Sequence, residues 1–181
     1  MQQPGWGLCK DDSMTPDQPV FLVPSRYSEW TGMAAEMMDK IRQQVHGVHL
    51  EHIGSTAVPD LPAKDVVDIL VGVEADRVSS VSQHLATIGF DLEGERDHHC
   101  WLSHPSRSSR TYIVHVVEYE SLPWRRRISF RDLLRSDESA RAEYLHTKVD
   151  AAKAARNWDD YTQSKTFVVS NLLSGSASEK S

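Results

Sequence analysis

Apolar positions recur three and four apart through Trp30, Met33, Ala34, Met37, Met38 and Ile41. That period predicts an amphipathic helix beginning near Ser28 and ended by Gly47. A Met-rich stripe of this kind reads as core rather than as a binding groove. Before it, Val20-Phe-Leu-Val23 reads as a short edge strand stopped by Pro24. After it, Val48–Ile53 reads as a first core strand. A second runs from Ala63 or Asp65 to Val73, and its nearly continuous Val, Ile and Leu content calls for cover on both faces.

Ala75–Ile88 is again helical, with Val78, Val81, Leu85 and Ile88 on one side and Gly89 as its stop. Phe90–Leu92, Cys100–Leu102 and Thr111–Tyr119 read as strands. The polar segment Glu93–His99 reads as a loop, and Pro105–Arg110 as a hairpin turn or flexible loop. From Pro123 the pattern is helical: Pro123–Arg135, Ser136–Ala155 and Asp159–Leu173. This order predicts an α+β domain, a mixed β-sheet flanked by helices with a helical C-terminal part, over residues 20–174. Residues 1–19, with three prolines and two glycines and no periodicity, read as a disordered tail, and 175–181 as a polar tail.

Composition narrows the function classes. The 181 residues are 39% hydrophobic and 25% charged, with a net charge of -6. That acidity argues against general affinity for nucleic acid. No apolar run approaches the ~20 residues of a membrane span. The first residues lack a signal-peptide pattern. Two cysteines, Cys9 and Cys100, make no disulfide framework, so a reducing, cytoplasmic setting is expected.

Candidate chemistry gathers between His52 and Gly72. Gly54-Ser55-Thr56 follows a strand, and such a turn offers amide groups and two hydroxyls to a phosphate. Alone it is equally a tight turn. Asp68 is the stronger signal. It stands among Val66, Val67, Ile69, Leu70 and Val71, where an ionised carboxylate costs several kcal/mol unless paired or bound. A structural alternative ties it to nearby amides or to Lys64. Asp65 falls on the opposite strand face and reads as a solvated strand start. His115 lies within the Thr111–Tyr119 strand, either as a core histidine or as a metal or phosphate contact. Neither His46/His49/His52 nor His98-His99 has a zinc spacing. Arg127, Arg131 and Arg135 fall four apart on a helix and line one side of it, able to clasp a triphosphate or to form a solvated charged face. Lys148 and Lys165 read as surface lysines unless the fold brings them to the turn.

These residues also carry a resemblance. Glu51-His52-Ile-Gly-Ser-Thr-Ala-Val-Pro59, Ala63-Lys64, Val67-Asp68-Ile-Leu-Val71, His115-Val-Val-Glu118, Trp124-Arg125-Arg126, Phe130-Arg131-Asp132, Tyr144, Lys148, Tyr161 and Lys165-Thr-Phe167 resemble the GrpB family of predicted nucleotidyltransferases. The resemblance implies a nucleotidyltransferase fold. It implies Mg²⁺-dependent transfer of a nucleotidyl group from a nucleoside triphosphate to an acceptor it leaves unnamed. Gly54, Ser55, Thr56, Lys64, Arg131, Lys148 and Lys165 would hold phosphates. Asp68 and His115 would be catalytic, and Asp68, His52 and His115 would hold the metal. The superfamily pattern carries a second acid two residues after the first, and here that place is Leu70. A catalytically degenerate binder of a nucleotide or phosphorylated metabolite is therefore the alternative.

Overall fold

The computed structural model of the chain describes residues 21–96 and 98–154, with Val169, Leu172 and Leu173. Two expected tails, the helix start at Asp159, Tyr161 and Lys165 lie outside the described residues.

Helix α1 spans Tyr27–Gln44 and buries Trp30, Ala34, Met37 and Ile41, the stripe that the spacing predicts. β1 (His49–Ile53) leads through the Gly54 turn and a loop to β2 (Val67–Val73). α2 (Val78–Thr87) follows, then β3 (Asp91–Arg96), β4 (His99–Ser106) and β5 (Ser109–Glu118). α3 (Leu122–Ser136) and α4 (Glu138–Ala154) complete the described chain. The strand order is β1-β2-β5-β4-β3. β2 and β5 run parallel at its centre, and the other neighbours are antiparallel.

Both sheet faces are covered, as the apolar run of β2 requires. On one face Val67, Ile69, Val71 and Val73 join Val114, Val116, Cys100 and Leu102 beneath α1 and α2. On the other, Leu70, Ile53 and Val117 lie beneath Trp124 of α3. α4 packs outside α3, where Val58, Leu61, Leu134, Ala140 and Tyr144 form a satellite core. The two faces together remove more than a dozen large side chains from water, each stabilising by roughly 1.5–3 kcal/mol against the entropy of ordering the chain.

Two expectations are corrected and a third is sharpened. Glu93–His99 is mostly strand: β3 runs to Arg96 and β4 begins at His99. β3 is an edge strand, so polar residues are tolerated along it. Its Glu93 is paired with Arg110 at 2.6 and 2.8 Å. The edge strand expected over 20–23 is reduced, within the described residues, to one bridge between Val23 and Ala63. Asp65 is exposed just ahead of β2, as a solvated strand start would be, but it is also tied down. It accepts a hydrogen bond from Nε1 of the fully buried Trp30 at 2.9 Å and pairs with Arg26. An indole N–H in a core needs such an acceptor.

Candidate functional site

The site is built where β1 hands over to the turn. Gly54 has φ 72° and ψ -169°, a region open to glycine almost alone. A single 3-10 turn, Ser55–Ala57, follows it. A Cβ on Gly54 would lie 3.0 Å from Cγ of Asp68. The turn is thus seated directly on the β2 carboxylate, and a side chain at position 54 would push the two apart.

Strand register decides which side chains share this face. Asp68 pairs with Ile113 and Leu70 with His115, so Asp68 and His115 point the same way. Trp101 pairs with His115 and His99 with Val117, which adds His99 to the face. The polar groups then form a chain. Nε2 of His115 is 3.9 Å from Oδ1 of Asp68. Nδ1 of His115 is 3.0 Å from Nε2 of His99. Nη2 of Arg127, reaching down from α3, is 3.5 Å from that same His99 nitrogen. Burial, with His115 and Arg127 close by, pushes the His99 pKa down to about 3. Burial also lowers the pKa of His115, against the pull of Asp68 and helped by Arg127. Both rings are neutral near pH 7.

His52 is not part of this group. It pairs with Ile69 and lies on the opposite face from Asp68 and His115. Its Nε2 meets the buried hydroxyl of Thr56 at 3.0 Å. Burial drops its pKa to about 4, with Asp68 opposing and Arg135 and Arg131 reinforcing. The ligand set His52, Asp68 and His115 therefore does not assemble, because strand alternation divides it. Mg²⁺ calls for several oxygen ligands in near-octahedral array. The place of a second acid is Leu70, fully buried with Ile53 and Val117 beneath Trp124. Among the described residues no group of three or more His, Cys, Asp or Glu side chains could hold a metal ion. The residues present do not fit the two-carboxylate magnesium centre that the resemblance implies.

The arginine row divides as well. Arg131 is 8% exposed, and its Nη1 donates to Glu51 at 2.6 Å and to the carbonyl of His52 at 3.1 Å. Its Nε donates to Asp132 at 2.8 Å. Arg135 donates to the carbonyl of Ala57 at 2.8 Å. Both clamp α3 to β1 and the turn. Of the row, Arg127 is the one that reaches His99 and Asp68.

Lys148 is no surface lysine. On the stripe of α4 that buries Ala140, Tyr144 and Ala151, it is 1% exposed and donates to the carbonyl of Pro62 at 2.6 Å. Tyr144, one turn earlier, hydrogen-bonds Ser55, and burial raises its pKa to about 12. α4 thereby fixes both ends of the loop after β1. Lys64 is half-buried, and its carbonyl accepts from the amide of Val66 at 2.8 Å. Gly54, Ser55, Asp68 and His115 lie close together. Thr56, Arg131 and Lys148 border them as supports.

Sequence reasoning passes over His99 and Tyr144 as members of the site, and reads Arg127 only as one of a row. His99 carries a signal in retrospect: in a strand it shares a face with Trp101, and Trp101 is paired with His115.

The family described as GrpB protein matches residues 19–174. A UPF0157 protein of Deinococcus radiodurans is 39% identical over 156 residues, spanning 86% of this chain and 82% of that protein. Among solved structures, the conserved protein GrpB from Enterococcus faecalis aligns with a TM-score of 0.68 at 24% identity, over 83% of this chain and 98% of that one. A cytoplasmic RNA terminal U-transferase aligns with a TM-score of 0.50 at 12% identity, over 74% of this chain and 43% of that one. The last two likenesses are of fold.

Proposed function

This chain belongs to the GrpB family, and from that premise we propose that it binds a nucleoside triphosphate or a related phosphorylated metabolite at the Gly54–Ser55 turn. The observation that carries this reading is the seating of the turn on Asp68, with Leu70 buried where a second acid would stand. The turn and the first acid of a nucleotidyltransferase fold are in place, and the second acid is replaced by core. Ser55 and the amides of the turn face the ligand phosphates, and Arg127 supplies positive charge beside Asp68. Guanidinium groups suit phosphate oxygens. The cytoplasm is its proposed home. No helix of the described residues is long and apolar enough to cross a membrane.

The test is thermal unfolding with ATP, CTP, GTP and UTP, each with Mg²⁺ and with chelator. Binding raises the midpoint in proportion to RT ln(1 + [L]/Kd). The expected result is stabilisation by at least one nucleotide that persists in chelator. Absence of stabilisation by all four overturns the nucleotide reading.

A second reading, transfer of the nucleotidyl group to an acceptor, is favoured by one observation. His115 stands 3.9 Å from Asp68 on the neighbouring strand, the place from which the superfamily supplies its third acid. It predicts labelled product and released pyrophosphate.

A further inference from the structure

Arg127 is a half-buried guanidinium whose charge lacks a close counter-ion. Arg26, Arg107, Arg110 and Arg131 each lie against a carboxylate. Arg127 forms no such pair among the described residues. Its contacts are the carbonyl of Pro123 at 3.0 Å and Nε2 of His99 at 3.5 Å, and Asp68 acts on it from beyond ion-pair distance. A guanidinium has more N–H donors than these two contacts use. Taking its charge out of water is costly unless an anion meets it. Arg126 beside it adds to the positive charge.

Next to this group lies an aromatic surface. β4 places His99 and Trp101 on the Asp68 face, with Trp101 paired to His115. The rings of His99 and Trp101 are 5.3 Å apart and tilted by 47°. The indole lies across Gly94 of the edge strand, where an added Cβ would be 2.7 Å from its Cη2. Covering that glycine uses one face of the indole. The other face belongs to a part of the sheet that no described helix covers. α3 packs on β1 and β5 of this side, whereas α2, the helix against β3 and β4, is on the opposite side. Trp101 is accordingly only partly buried.

We propose that this is a second binding site, for a small organic anion with a planar ring: Arg127 takes its carboxylate or phosphate group and Trp101 takes the ring, on either side of His99. Charge and shape both select that class. The guanidinium fork matches either anion with two parallel hydrogen bonds. The indole offers a flat face, which a flat ring fills better than a puckered one. His99, with its pKa pushed down to about 3 by burial first and then by His115 and Arg127, is neutral near pH 7, so the guanidinium sets the charge of the site.

The site goes beyond the phosphate binding proposed at the turn and does not depend on it. Trp101 is two strands from Asp68 and two residues further along, roughly 12 Å between Cα atoms by strand spacing. A ring seated there lies beside a phosphate held at the turn, and Arg127 borders both.

The test uses the full chain without nucleotide at pH 7.5, followed by ¹⁵N NMR of the tryptophan indole and arginine side-chain signals. The probes are 3-phenylpropionate, phenyl phosphate, 3-cyclohexylpropionate and inorganic phosphate, each raised to millimolar concentration. The expected result is a saturable shift of both Trp101 and Arg127 with 3-phenylpropionate or phenyl phosphate, and the tighter of the two tells carboxylate from phosphate. The probes without a planar ring are expected to bind roughly fivefold more weakly than their counterparts. Arg127→Gln should weaken the ring probes about tenfold or more, Trp101→Leu roughly fivefold, and Arg125→Gln not at all. If neither ring probe moves both signals, the inference fails. It fails too if inorganic phosphate and 3-cyclohexylpropionate bind as tightly as the ring probes, or if Arg127→Gln binds like wild type. Trp101→Leu uncovers Gly94, so if that variant does not fold the wild-type titration and Arg127→Gln decide. Thermal unfolding with nucleotides is a separate measurement, so failure of the turn reading and failure of this one are told apart.

Discussion

Gly54 lies against Asp68 so closely that a Cβ on the glycine would sit 3.0 Å from the carboxylate carbon and nearer still to one of its oxygens. The turn and the acid are therefore one unit, although thirteen residues separate them in the chain. Neither can be altered without moving the other.

Gly54→Ala tests that unit. The new methyl meets both a backbone region closed to alanine and the Asp68 carboxylate. Strain of this kind costs about 1–3 kcal/mol. We expect a loss of that size in urea unfolding, with nucleotide-dependent stabilisation abolished. A variant as stable as wild type would show that the turn is not held against Asp68.

Leu70→Asp asks whether a metal site can be restored by sequence alone. Leu70 is fully buried under Trp124 with Ile53 and Val117, so a carboxylate there would be taken out of water among apolar side chains. The expected outcome is a loss of about 3–5 kcal/mol or failure to fold, with no magnesium-dependent gain. A folded variant that binds Mg²⁺ by calorimetry would refute the packing account.

Lys148→Met keeps the length of the side chain and removes its charge. The Pro62 carbonyl then loses its 2.6 Å donor within a buried loop. An orphaned buried acceptor costs about 1–3 kcal/mol. Denaturant unfolding should show that loss. If the lysine instead served phosphate directly, stability would be unchanged and only nucleotide binding would fall.

Acid should destabilise the protein through His52. Its folded pKa of about 4 lies below its ordinary value of 6.5. Above pH 6.5 the ring is neutral folded or unfolded, and contributes no pH dependence. Between 6.5 and 4 the unfolded chain binds the extra proton, so stability falls as pH falls. The full shift corresponds to several kcal/mol, on the order of 1.4 per unit. Urea midpoints at pH 7.5, 6.5, 5.5 and 5 should decline for wild type, and His52→Gln should flatten the slope. His99, with its pKa near 3, contributes in the same direction.

Much of this molecule is legible before folding. The stripe from Trp30 to Ile41 and the apolar run of β2 name their elements because burial imposes a period or forbids one. The turn and Asp68 are legible because glycine and a lone core acid are each costly without a purpose. β3 was not legible. Its residues are polar, and its strand character comes from pairing with β4 rather than from its own propensity. His52 and His115 looked alike in sequence, and register across three strands put them on opposite faces. Lys148 showed nothing of its burial, since one lysine on a helix stripe reads as surface until α4 is seen to pack on the loop after β1. The role of Arg127 depended on where α3 crosses the sheet.

The parallel seam between β2 and β5 has a consequence for how the protein matures. β1 and β2 are near neighbours in sequence, and β3, β4 and β5 follow one another in a meander. Each set closes with local contacts, but the seam joins segments separated by α2 and two strands. Its closure carries the larger entropic cost and belongs to the slower phase of folding. Asp68 stands on one side of that seam and His115 on the other. A chain newly made and half assembled can therefore contain every residue of the site and still have no site, so that ligand recognition begins only when the two halves of the sheet have met.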